Sequence, residues 1–264
     1  MARERDVAAE WGMVAPHALD TLDAEASRLG LTLEADVRAR FGHYLQLVLE
    51  WTPRAGLTSA ADRTKIPRRH FGESLALLLA LRESGVFDGG GARASAISVV
   101  DIGAGAGFPT LAMRLVEPSL AVTLVESNAK RCRFLEHAIA ELGLGDVRVV
   151  QARAEEAGRD ETLRASFDVA VARAVAPMPV LVEYALPLLR RGGVLAAPKG
   201  GRGEAELAEA AGAISALGGT VEPALPLSLP AGAPPQQVLL VRRTGELDER
   251  YPRRPGMPSK RPLR

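Results

Sequence analysis

The tightest constraint on the fold is an alternation that begins at Ala96. Short β-branched runs recur at Ala96–Asp101, Val122–Glu126, Val147–Val150, Phe167–Val171 and Val194–Ala197. Helical patterns separate them: Leu111–Val116, Ala129–Leu142 ended by Gly143, and Val180–Leu189. Strands alternating with helices are joined by crossovers, and crossovers build a parallel sheet covered on both faces. A last helix, Glu204–Leu217, leads to two more strands, Val221–Leu227 and Gln237–Arg242. Their Pro- and Gly-rich connection holds no helical pattern, so the pair is expected to run antiparallel at the sheet edge.

Before Ala96 the period is helical. Val37, Phe41, Leu45, Val48 and Leu49 recur at three- and four-residue spacing, an amphipathic helix that Pro53 is expected to end. A second helix, His70–Glu83, carries Leu75, Ala76, Leu78 and Leu79 as its buried stripe. The Gly-rich stretch Gly89–Ser95 divides the two patterns. The expected organisation is a helical annex over residues 1–94, an α/β domain over 95–245 and a basic tail over 246–264.

Composition removes several alternatives. The 264 residues include 33 basic and 32 acidic ones, so any affinity for nucleic acid must come from local clusters. The single cysteine, Cys132, excludes a disulfide framework, and it sits mid-helix as a small core hydrophobe. His17, His43, His70 and His137 never fall three or four apart, so no helical metal pair exists and no metal site is expected. The longest apolar run, Leu75–Leu81, is far short of the roughly 18 residues of a membrane span. Met1–Asp20 has no apolar signal core. A soluble, cytoplasmic monomer without a membrane contact is expected.

The first strand runs into Asp101-Ile102-Gly103-Ala104-Gly105-Ala106-Gly107-Phe108-Pro109. Glycines there let the chain turn tightly and let a ligand lie against bare main chain, at the end of the sheet where ligands bind. Glu126 closes the second strand, where a carboxylate can accept both ribose hydroxyls of an adenosine. The spacing G-x-G-x-G, with Phe108 in the place of the last dinucleotide glycine, suits an apolar wall better than a pyrophosphate seat. Asp101 would repel phosphates yet could hold a cationic amino or sulfonium group. These features favour S-adenosylmethionine over NAD. Gln151-Ala152-Arg153-Ala154-Glu155-Glu156 follows the third strand and can set a backbone N–H and a carboxylate beside the adenine. Arg173, after the fourth strand, stands where an acceptor base would enter.

No catalytic side chain is assigned. The segment after the fourth strand lacks the Asn/Asp-Pro-Pro-aromatic pattern of amino-group transfer, and Cys132 is not placed for pyrimidine C5 transfer. What remains is an acceptor with a free lone pair, such as guanine N7, for which proximity and alignment carry the rate. The last 23 residues hold eight basic and three acidic residues, which reads as an arm for RNA phosphates. Lys65, Arg68, Arg69 and His70 form a second basic cluster.

Several segments together resemble one family, the bacterial small-subunit rRNA guanine-N7 methyltransferases RsmG (GidB). They are His70-Phe71-Gly72-Glu73-Ser74-Leu75, Asp101 to Pro109, Lys130 to Leu135, Ala152 to Glu155, Arg173 to Pro177, Lys199-Gly200 and Tyr251 to Pro258. The resemblance covers about Leu33 to Leu263. It implies a seven-stranded, Rossmann-like class I S-adenosylmethionine methyltransferase fold with an amino-terminal helical annex. It implies S-adenosylmethionine as donor, and as acceptor N7 of a guanine (guanine-527) in the decoding-region loop of 16S rRNA, within the small ribosomal subunit. Cofactor positions carry over to Gly103, Phe108, Ala154, Glu155 and Arg173, beside Gly105 and Glu126 from the reading of the residues themselves. Two asparagines of the family's Trp-Asn…Asn-Leu-Thr pattern are missing in Trp51 to Thr58, and Glu73 stands where the family has Asp. Residue chemistry alone leaves rRNA, tRNA and mRNA caps open. It also leaves open a non-catalytic RNA-binding ribosome-assembly factor and an NAD-dependent oxidoreductase.

Overall fold

The computed structural model describes residues 17–88 and 96–263, so Gly89–Ser95 and most of the amino-terminal segment lie outside it. Among the described residues, three α-helices form the annex: α1 over residues 17–28, α2 Ala35–Ala55 and α3 Gly72–Glu83. Pro53 does not end α2. Two more residues follow, and Gly56 closes the helix in the left-handed conformation with its N–H on Thr52 O at 2.9 Å. A missing donor in the last turn forfeits one bond, and the glycine cap satisfies the exposed carbonyls. Nor does α3 start at His70, because Ile66–Phe71 form a π-helical turn that runs into it. Its buried face is wider than one stripe: Leu77 and Leu81 are buried as well, while Leu79 is partly exposed.

The strands are β1 Ile97–Ile102, β2 Leu120–Glu126, β3 Arg148–Gln151, β4 Phe167–Val171, β5 Leu189–Lys199, β6 Gly219–Pro226 and β7 Gln237–Arg243. They form one seven-stranded sheet in the order β3-β2-β1-β4-β5-β7-β6. The pairs from β3 to β5 are parallel, and β7 runs antiparallel between β5 and β6, as the sequence predicts. The intervening helices are α4 Thr110–Val116, α5 Ala129–Glu141, α6 Ala154–Ala157, α7 Met178–Ala185, α8 Gly203–Glu209 and α9 Ala211–Ala216. A short α10, Met257–Lys260, lies in the tail.

Two element boundaries differ from expectation. The helix expected over Val180–Leu189 stops at Ala185, and Leu189 already pairs with Phe167 as the first residue of β5. Pro187 explains it, since a helix cannot continue into a proline without losing a bond and clashing. The single helix expected over Glu204–Leu217 divides at the buried Ala210. There one N–H is shared by the Glu206 and Leu207 carbonyls at 3.1 Å each, a tightened last turn.

Successive strand residues face opposite layers. Val99 joins Phe41, Tyr44, Phe71, Leu75 and Leu111 in a cluster that ties the annex to one face of the sheet. Val100 joins Leu181, Leu195, Ile214 and Tyr251 on the other. Because α4 packs on the first face and α7 on the second, the loops after β1 and β4 diverge and open a crevice between them.

The basic tail is not the free arm its charge suggested. It folds back onto the second face, burying Tyr251, Pro252 and Pro258. The Arg253 guanidinium holds the fully buried Glu183 carboxylate, with Nη2 on Oε2 at 2.6 Å and Nε on Oε1 at 2.9 Å. Prolines and an aromatic ring supply apolar surface that outweighs exposure of the segment, and a buried acid recruits one of its cations.

Candidate functional site

The glycine loop leaves β1 at the diverging point. Gly103 has φ +70° and donates its N–H to Val125 O at 2.8 Å, which ties the turn to β2. A side chain on Gly103 would put Cβ 3.0 Å from Val175 Cγ2, so the loops after β1 and β4 approach closely there. Gly107, at φ +85°, is more crowded still. An added Cβ would fall 2.5 Å from Leu111 Cδ1 and 2.6 Å from the Tyr44 hydroxyl. That hydroxyl donates to Ala106 O, so the annex grips the loop directly.

Two cavities meet at Gly103. The smaller, about 160 Å³, is lined by Gly103, Ser127, Ala154, Glu155, Val175 and Tyr184 among others. The larger, about 520 Å³, is lined by Gly103, Gly105, Phe108, Arg173 and Lys199 with His70 and Glu73 of the annex. The structure therefore brings together six of the seven predicted site residues around one crevice. Glu126 is placed differently. Its carboxylate is 5% exposed and accepts the N–H of Gly105 at 3.0 Å and of Asn128 at 2.8 Å, which braces the glycine loop.

Phe108 forms the expected apolar wall, yet most of its surface faces the annex. Its ring lies 5.3 Å from Tyr44, 5.5 Å from Phe71 and 4.9 Å from His70, which stacks on it at 13°. Arg173 places its guanidinium 5.8 Å over the same ring, donates to His70 Nδ1 at 2.8 Å and pairs with Glu73 at 3.4 Å. Burial, then the Arg173 and Arg69 charges, lower the His70 pKa to about 4. Burial raises that of Glu73.

Asp101 stands near the end of β1. It is 1% exposed, accepts the Thr110 hydroxyl, and burial pushes its pKa to about 7. Through that bond the carboxyl ties the end of β1 to the start of α4. Glu155 is buried too: it is 1% exposed and accepts the Gly256 N–H at 2.7 Å. Cys132 is core, its thiol directed at Glu126 O at 3.2 Å.

Several lining residues were not assigned from sequence. His70 and Glu73 carried a signal in their motif, and Lys199 in its place at a strand end. Tyr184 and Gln236 carried none, because an apolar helix and a loop bring them in only through the fold. Among the described residues, no cluster of three or more His, Cys, Asp or Glu could hold a metal, and no helix is long and apolar enough to cross a membrane.

This strand order, with one antiparallel strand inserted and a glycine loop at the diverging point, defines an α/β fold of the class I methyltransferase type. Residues 38–228 match the GidB family, rRNA small subunit methyltransferase G. The ribosomal RNA small subunit methyltransferase G of Staphylococcus epidermidis is 40% identical over 245 residues, 93% of this chain and 98% of that protein. That of Moorella thermoacetica is 40% identical over 242 residues, covering 92% and 97%. Among solved structures, a mutant of MtNAS aligns with a TM-score of 0.51 at 17% identity, covering 80% of this chain and 75% of that chain, a likeness of fold alone. The chain belongs to the GidB family of rRNA small subunit methyltransferases.

Proposed function

We propose that this methyltransferase modifies N7 of a guanine in the decoding-region loop of 16S rRNA, the position being guanine-527 by family resemblance. S-adenosylmethionine is the methyl donor, and bound here it supplies an electrophilic methyl group. The residues present fit it. Bare main chain at Gly103 and Gly105 gives the close approach that a methionine moiety needs, and the smaller cavity offers Ala154 and the buried Glu155 to an adenosine. We assign the ribose to Glu126, whose two oxygens keep acceptor capacity beyond the two backbone amides they hold.

One observation carries the N7 reading. Every ionisable side chain lining the larger cavity is already engaged by the protein. Arg69 holds Asp62, Arg131 donates to Gly56 O, and Lys199 donates to Ala176 O and Glu206. His70, Glu73 and Arg173 hold one another. Arg173 takes His70 Nδ1, which leaves the unpartnered Nε2 as a donor, and Glu73 holds Arg173 and Gln236; N7 needs no base, because its lone pair attacks without loss of a proton. Alignment in a packed crevice is then the main contribution of the chain.

The RNA track favoured by the geometry lies beside α5. Arg131 reaches the cleft, while Lys130 and Arg133 of the same helix line an adjoining groove with Trp51 and Arg54. Arg54, Lys130 and Arg133 are exposed and make no ion pair among the described residues. In the annex cluster, by contrast, Arg69 is paired with Asp62, and Arg68 lies 3.5 Å from Glu25.

The test is incubation of the purified protein and donor with 16S rRNA and with small subunits from cells lacking the gene. Primer extension after borohydride–aniline cleavage should stop at one guanine of the decoding loop. Methyl incorporation at an exocyclic amine, or none in either substrate, would sink the reading.

A further inference from the structure

We propose that the carboxyl-terminal segment Gly256–Ser259 is a working part of the cofactor site, a positioning brace for two walls of the smaller cavity. The inference rests on the reading of that cavity as the adenosine seat.

Glu155 and Tyr184 line the cavity from α6 and α7, and each takes a polar partner from the tail. The Gly256 N–H reaches Glu155 Oε1 at 2.7 Å, and Ser259 Oγ lies 2.8 Å from the Tyr184 hydroxyl. The two partners sit three residues apart, so one turn of chain sets both walls. That turn is itself held in place. Arg253 grips the buried Glu183, the neighbour of Tyr184, and Arg164 Nη1 donates to Tyr251 O at 2.7 Å. Pro252 packs on Gly158 so closely that a Cβ there would fall 2.9 Å from Pro252 Cγ.

A buried carboxylate without donors would be costly, and its orientation is set by the donors it has. Beside Gly256, among the described residues, Glu155 has Arg153 as its ion partner, at 3.6 Å. A carboxylate has about four acceptor sites, so Glu155 keeps capacity for a donor entering the cavity. The exocyclic amine of an adenine is such a donor. An inosine base presents a carbonyl in its place and would meet the carboxylate as acceptor against acceptor. The brace therefore controls a specific discrimination, amine over carbonyl, in addition to stability.

Gly256 permits a selective test. Its φ is +80°, a conformation that L side chains rarely adopt, yet a Cβ there would meet nothing within 4 Å. Gly256→Ala therefore shifts the backbone N–H without a clash, and Gly256→Asn, which tolerates the left-handed region, should restore it. The readouts are the Kd values of S-adenosylhomocysteine and S-inosylhomocysteine by calorimetry, with Tm measured in parallel. The full chain should prefer the adenosyl compound by roughly tenfold or more, as expected for a hydrogen bond to a charged group. Gly256→Ala should lose most of that preference, and Gly256→Asn should recover it. A folded Gly256→Ala protein with a lower Tm but an unchanged preference would overturn the proposal and leave the tail a structural strap. A wild type that binds both compounds equally would also overturn it, while leaving the cofactor reading in place. Binding of neither would remove the cofactor reading itself.

Discussion

Arg173 and His70 share a hydrogen bond across the cleft in which the guanidinium must be the donor, so His70 Nδ1 is unprotonated. One loop after β4 and one turn of the annex are thereby joined over the Phe108 ring. Protonation of His70 would set two cations 2.8 Å apart, and its pKa of about 4 reflects burial first and the Arg173 charge second.

A pH dependence of stability follows. Between about pH 4 and 6.5 the unfolded chain binds a proton at His70 that the folded chain does not, so this residue makes stability rise with pH there. Asp101 has the opposite sign. Its folded pKa of about 7 lies above its unfolded value of 3.8, so the folded chain holds the extra proton and stability falls as pH rises between them. The raised Glu73 adds to Asp101. The stability of wild type minus that of His70→Gln should therefore increase with pH over this window. Wild type minus Asp101→Asn should decrease, each with a slope of at most about 1.4 kcal/mol per pH unit. Urea denaturation at four pH values measures both differences, and parallel curves for wild type and His70→Gln would contradict the assignment.

The two crowded glycines should fail in different ways. Gly103→Val forces a branched side chain onto Val175 and into the shared mouth of both cavities, so donor binding is lost in a protein that still melts cooperatively. Gly107→Ala drives Cβ into Leu111 and the Tyr44 hydroxyl and should cost about 2–4 kcal/mol through strain and overpacking. Equilibrium dialysis with labelled S-adenosylmethionine and thermal melts separate the two.

Glu126→Ala should weaken donor binding by about 1.5–3 kcal/mol, with smaller losses for 2′-deoxy and 3′-deoxy analogues. Equal losses on all three compounds would assign the carboxylate to bracing Gly105 alone.

For RNA, the proposed track puts the electrostatic contribution in the groove beside α5 and not in the tail. Replacing Arg54, Lys130 and Arg133 with Ala should flatten the dependence of log K on log salt, by about 0.7 for each single-strand phosphate that is no longer neutralised. Donor affinity should not change. If the triple variant keeps the wild-type slope and removal of residues 251–264 flattens it, the tail is the RNA arm after all.

Sequence alone determined the layers of this chain and the end of the sheet at which the glycine loop and its crevice lie. Periodicity is a local property: β-branched runs, helical spacing and a glycine cluster at Gly103–Gly107 specify crossovers and a ligand mouth without knowledge of any distant contact. The helix-free connection before β7 likewise announced the antiparallel edge. Glu126 was legible as an acid at a strand end, but its two backbone amides were not, because Gly105 meets it only once β1 and β2 are paired. Tyr184 looked like one more apolar helical residue until the tail brought Ser259 to its hydroxyl. The packing of the tail was hidden in the sequence for a physical reason. Charge is counted residue by residue, but whether Arg253 meets water, a phosphate or the buried Glu183 depends on which surface Tyr251 and its prolines find to cover, and only the tertiary fold supplies that surface.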